Sequence, residues 1–95
     1  MRLRYTAPAL ADLASILDHI AAESPQGAKH VQGRIRSIID LLTTHPRIGR
    51  RTDDPAVRRL MTSPYPYLVF YEIDGDEIIV HAVRRVARDP SLPIR

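Results

Sequence analysis

The sequence predicts an α+β fold of order β-α-α-β-β-β, an antiparallel α-helical hairpin packed on a twisted, mainly antiparallel four-stranded sheet. Three observations predict it. Two apolar stripes at helical spacing, Leu10 to Ile20 and Ala28 to Leu42, follow one another with a break of about three residues. So short a break makes the helices antiparallel neighbours. Beyond them, two β-rich runs meet at Asp74-Gly75, a pair that signals a tight hairpin because the favoured turn needs φ > 0 at both central residues. Helices gathered before a run of strands, rather than alternating with them, argue for α+β.

Each element has its own reason. Arg2-Leu3-Arg4-Tyr5 alternates polar and apolar residues and reads as a first strand. Thr6 is a candidate N-cap, with Pro8 tolerated in the first turn. Leu10, Leu13, Ile16, Leu17 and Ile20 form one core stripe, and the helix reaches Ala22. Ser24-Pro25 starts the second helix with a cap residue and a proline at the first helical position. Its stripe is Ala28, Val31, Ile35, Ile38 and Leu42, widened by Ile39 and Leu41, and His45-Pro46 stops it. Pro46 to Pro55, with Gly49 and several charges, reads as a surface loop, and Val57 to Met61 as a strand. Ser63-Pro64-Tyr65-Pro66 is a turn, because proline cannot donate to a ladder. Tyr67 to Ile73 and Glu77 to Val86 complete the hairpin. Ile79, His81, Val83 and Arg85 alternate with Ile78, Val80, Ala82, Arg84 and Val86; apolar residues on both faces predict a central strand.

The composition bounds the function. Residues 1–95 suffice for one domain with one modest core. No apolar run is long enough to span a membrane and no secretory signal pattern opens the chain, so a cytoplasmic protein is expected. Without cysteine there is neither a disulfide nor a thiolate zinc site. The net charge of +3 favours acidic partners mildly. Lys29 is the one lysine beside thirteen arginines, which leaves little scope for a lysine general base.

The candidate binding residues are therefore arginines. Arg84, Arg85 and Arg88 cluster where the last strand runs out, either as a patch for a target or acidic partner, or merely solvated and paired with Glu72 and Asp89. Arg58 and Arg59 fall on opposite faces of one strand, so one of them is exposed. His81, inside an apolar strand, reads as a hydrogen-bonded structural histidine, with no second histidine at metal-ligand spacing. Tyr67 and Tyr71 share a strand face with Val69 and Ile73 and read as core, while Asp12, Asp18 and Glu23 read as a solvated helix face. Neither a cofactor nor a metal is expected.

The order of elements, the "HPRIGR" loop, the "YLVFYEIDGDEIIVHAV" hairpin and the closing "ARDP" resemble the RelE/ParE superfamily of small bacterial toxins, over nearly the whole chain. The resemblance implies the toxin of a type II toxin–antitoxin module of the growth-arrest and plasmid-stabilisation kind. Its partner would be a cognate ParD-like antitoxin, a DNA-binding dimer that touches operator DNA on behalf of a hetero-oligomeric complex. The antitoxin's C-terminal segment would lay a helix against the helical hairpin and extend along the sheet.

The superfamily holds two activities. RelE-like members are ribosome-dependent mRNA endoribonucleases; ParE-like members are associated with poisoning DNA gyrase. RNA cleavage needs cations around the scissile phosphate and an acid or base among them. Carried over on the shared hairpin, the nuclease positions fall on Arg59, Met61, Leu68, Arg88 and Ile94, so two cations survive of four and the tail tyrosine is lost. The superfamily's other nuclease layout, with a Glu, an Arg and a His-Tyr pair near the C-terminus, finds no such pair here. The expectation is thus a ParE-like gyrase inhibitor acting by protein binding through Arg58, Arg59, Arg84, Arg85 and Arg88. A RelE-like nuclease using Arg59, Arg84, Arg85 and Arg88 is the alternative, and a partner protein that has lost toxicity the third possibility.

Overall fold

The computed structural model describes residues 1–86. The elements are β1 (Arg2–Tyr5), α1 (Ala7–Glu23), α2 (Pro25–Leu42), β2 (Arg50–Arg51), β3 (Val57–Met61), β4 (Tyr67–Asp74) and β5 (Glu77–Arg85). One sheet runs in the order β1-β5-β4-β3-β2. β1 lies parallel to β5 and every other pairing is antiparallel. The α+β class and the helical hairpin are as expected, but the sheet has five strands, not four. The additional strand is β2, two residues inside the segment expected to be a loop.

Capping sets the helix ends. Thr6, with extended backbone, accepts the Ala9 N–H at 3.2 Å and donates its own hydroxyl to the His81 carbonyl, tying the start of α1 to β5. Ser24 closes α1 through its N–H on the Ile20 carbonyl and caps α2 by accepting the Gly27 N–H at 2.9 Å. The break between the helices is therefore one residue, shorter than the spacing suggested. Pro25 explains it: its ring disfavours helical backbone at the preceding residue, and Ser24 is extended at φ −153 and ψ 97.

The helices cover one face of the sheet. Val31, Ile35 and Ile39 of α2 pack with Ala9, Tyr67, Val69, Val80 and Val83 in the main core cluster; Leu42, Tyr71 and Ile78 form a second. Each fully buried residue of this size contributes about 1.5–3 kcal/mol of transfer free energy. The α1 stripe sits less deeply than its pattern suggested. Leu13, Ile16, Leu17 and Ile20 are only partly buried, and Leu10 is 55% exposed. Ala9 takes the innermost position on α1, which turns its neighbour Leu10 outward. Leu41 likewise stays exposed at the edge of α2.

The hairpin departs from expectation at its tip and in its middle. Asp74 pairs with Glu77, so the two-residue loop is Gly75-Asp76. Gly75 alone has positive φ, 59°, so only the first central residue needs the left-handed region, the type II′ pattern. The ladder then shifts register: Tyr71 pairs with Val80, whereas Phe70 pairs with Ala82. His81 is the extra residue of this β-bulge, which breaks strict alternation and puts Ile78, Val80 and Val83 together on the helix-facing side.

Candidate functional site

Strand register assigns the arginines to faces. Paired residues share a face, so Arg50, Arg59, Phe70 and Ala82 form one row across β2 to β5, and Met61, Leu68 and Arg84 the next. Both rows lie on the face that the helices leave uncovered. Arg59 and Arg84, expected as binding residues, are exposed there together. Arg85 is also exposed but pairs with Tyr67, on the other side of the sheet from Arg84. Arg88 lies outside the described residues.

Arg58 is used differently. It pairs with buried Tyr71, and its Nη1 donates to the Gly49 carbonyl at 2.9 Å and the Arg47 carbonyl at 3.3 Å. The Tyr71 hydroxyl completes the clamp, donating to the Pro46 carbonyl at 2.7 Å and accepting the Gly49 N–H at 2.9 Å. Burial pushes the Tyr71 hydroxyl pKa upward; the Gly49 hydrogen bond and the Arg58 cation act the other way. A Cβ at Gly49 would sit 2.6 Å from that hydroxyl, so the close approach requires glycine. The "HPRIGR" segment is thus fastened to the sheet from beneath, and β2 forms because its entry is fixed. Arg50 is brought beside Arg59 in consequence.

His81 is hydrogen-bonded as expected, through Nε2 to Glu72 Oε1 at 2.7 Å, with both side chains partly exposed. Glu72 therefore pairs with a histidine rather than with the arginine cluster. An open cleft of about 480 Å³ adjoins the same face, lined by Arg51, Thr52, Asp53, Asp54, Arg59 and Phe70. Chemically the face offers guanidinium forks for carboxylates or phosphates around a partly exposed apolar strip.

Two further residues escaped the sequence pattern. Asp12, expected on a solvated helix face, accepts the Val83 N–H at 3.0 Å. β1 ends at Tyr5, so this carboxylate from α1 takes over where the parallel ladder on β5 runs out. Tyr5 is partly buried, and that burial together with the Asp40 carboxylate raises its pKa, while Arg36 opposes the shift. Among the described residues no three His, Cys, Asp or Glu groups assemble to hold a metal, and no helix is long and apolar enough to cross a membrane.

The chain matches, over residues 3–90, the family described as the ParE toxin of the type II toxin–antitoxin system, parDE. It is 37% identical over 81 residues to Toxin RelE2 of Caulobacter vibrioides, covering 84% of this chain and 86% of that protein. It is 33% identical over 75 residues to the Sinorhizobium fredii protein Y4kP, covering 79% and 78% of the two chains. A solved structure, the chromosomal ParDE toxin–antitoxin system from P. aeruginosa, superposes with a TM-score of 0.81 at 29% identity, covering 92% of this chain and 97% of that one. The fold, the length matched and the identity agree: this chain is a type II toxin–antitoxin system toxin of the RelE/ParE superfamily and belongs to the ParE toxin family.

Proposed function

We propose that this toxin is ParE-like in action: it inhibits DNA gyrase by protein binding, in the cytoplasm, until a cognate ParD-like antitoxin neutralises it. The observation that carries the reading is the pairing of Met61 with Leu68 on the open arginine face. These are two of the positions where an RNA-cleaving relative would carry cations, and each missing transition-state donor typically costs about 10²–10³ in rate. The same apolar pair suits a protein partner. Arg59 and Arg84 are the expected contacts on this face; Arg85, on the other side of the sheet, and Arg88, outside the described residues, are further expected contacts, and Arg58 contributes by holding the loop that carries Arg50. The antitoxin is a DNA-binding dimer whose acidic C-terminal segment engages the helical hairpin, and operator DNA is reached through it alone. Purified toxin added to gyrase in a supercoiling assay should inhibit, and the product of the neighbouring gene should relieve that inhibition. No inhibition at concentrations well above the antitoxin affinity would refute the gyrase assignment.

Two observations favour the RelE-like alternative. A relative at 37% identity carries the RelE2 name, and His81–Glu72 shares the open face with Arg59. Primer extension on translated mRNA discriminates: codon-phased cuts that vanish in Arg59→Ala or Arg88→Ala would replace the gyrase reading with ribosome-dependent cleavage.

A further inference from the structure

The sheet face opposite the helices has its own architecture. Leu68 and Phe70 form an apolar column along β4, with Met61 beside it on β3 and Ala82 on β5. None of the four belongs to either core cluster. Met61 is 43% exposed and the other three are partly exposed. Exposed arginines flank the column on both sides, Arg59 on β3 and Arg84 on β5. Among the described residues, neither of these guanidinium groups lies within 4.0 Å of a carboxylate; the ion pairs are Arg4–Glu77 and the His81–Glu72 contact.

The dimensions and the chemistry select an occupant. From β3 to β5 is two strand spacings, about 10 Å, which is the diameter of an α-helix with its side chains, about 10–12 Å. Successive same-face residues along a strand are about 6.6 Å apart, close to the helical pitch of about 5.4 Å. A helix lying along β4 could therefore set its apolar stripe on the column and a row of carboxylates against each arginine flank. Single-stranded RNA fits less well, because it is held by stacking on exposed rings. Phe70 is the one phenylalanine, tyrosine or tryptophan on this face among the described residues, and the His81 ring there is engaged with Glu72; Tyr5, Tyr65, Tyr67 and Tyr71 all pack into the core clusters on the other side.

We propose that this open face docks an acidic amphipathic helix of a partner protein, with the partner's apolar stripe on Met61, Leu68, Phe70 and Ala82 and its carboxylates on Arg59 and Arg84. The surface is separate from the helical hairpin, so a partner there and one on the hairpin can be bound together. The inference does not depend on gyrase being the target.

Titration of the isotope-labelled full chain with a synthetic two-heptad helical peptide, leucine along one stripe and glutamate on both flanks, tests it. Amide shifts should centre on Arg59, Leu68, Phe70, Ala82 and Arg84. Arg59→Glu with Arg84→Glu should weaken binding about tenfold or more, which corresponds to the loss of two charge contacts, whereas Arg36→Glu on α2 should not. The same peptide with lysine for glutamate should fail to bind. The proposal is overturned if the acidic peptide does not bind, if both peptides bind alike, if the shifts fall on the helices, or if an oligouridylate binds this face more tightly than the peptide.

Discussion

Tyr71→Phe removes one oxygen atom from a fully buried side chain, and two backbone groups depend on that oxygen. It donates to the Pro46 carbonyl at 2.7 Å and accepts the Gly49 N–H at 2.9 Å. Gly49 is buried, so its N–H would lose its partner without gaining water; Pro46 is partly exposed, so its carbonyl would be rehydrated. An orphaned buried donor costs about 1–3 kcal/mol and a hydrogen bond exchanged for water about 1 kcal/mol. The expected loss is therefore about 2–4 kcal/mol, or on the order of 10–30 °C in Tm for a domain of this size. Urea unfolding followed by circular dichroism measures it, with the denaturant slope unchanged because the area exposed on unfolding is the same. Hydrogen exchange should accelerate first at the amides of Gly49, Arg50 and Arg51. A loss below about 0.5 kcal/mol, the level of an ordinary surface substitution, would refute the clamp as the reason β2 forms.

Gly49→Ala attacks the same contact from the other side. Its Cβ would lie 2.9 Å from the Arg59 carbonyl as well as 2.6 Å from the Tyr71 hydroxyl, so thermal unfolding should show a loss at least as large as that of Tyr71→Phe. Asp12→Ala leaves the Val83 N–H without its charged acceptor and should cost about 1.5–3 kcal/mol, with Asp12→Asn retaining much of the stability in the same assay. Burial raises the hydroxyl pKa values of Tyr5 and Tyr71 above 10.0 in the folded chain. Their contribution is thus complete below about pH 10, the unfolded value, and is lost as pH climbs through the higher folded values; equilibrium unfolding in alkaline buffers should show the decline, and Tyr71→Phe should reduce it. Gly75→Ala forces a side chain into the left-handed region at φ 59° and should cost about 1 kcal/mol by chemical denaturation, with little effect on partner binding.

What could be read from the sequence was what neighbours along the chain decide. Thr6 and Ser24 cap helices within three residues of themselves, and Tyr67, Val69 and Tyr71 declare a buried face by simple alternation. The features missed depend on distant partners. Asp12 looks solvated until Val83, 71 positions away, is folded against it. β2 has no strand pattern of its own and exists because Tyr71 and Arg58, 22 and 9 positions from Gly49, hold its entry. The bulge at His81 hides behind an unbroken apolar run, and it alone decides which β5 residues face the helices. Of the candidate site, the pairing of Arg58 and Arg59 on opposite faces was legible. That Arg59 and Arg84 share an open face required the sheet register.

The parallel pairing of β1 with β5 joins residues 2–5 to residues 77–80. Closing so long a chain segment carries an entropic cost that grows as (3/2)RT ln n, about 4 kcal/mol here, before any contact repays it. β5 is also the strand on which β4 zips, so the sheet cannot close before β5 has been synthesised. Until then the arginines of β3 and β5 are not aligned on one surface. Such non-local closure makes for slow folding, and a growing chain of this toxin carries no assembled arginine face until β5 has been made.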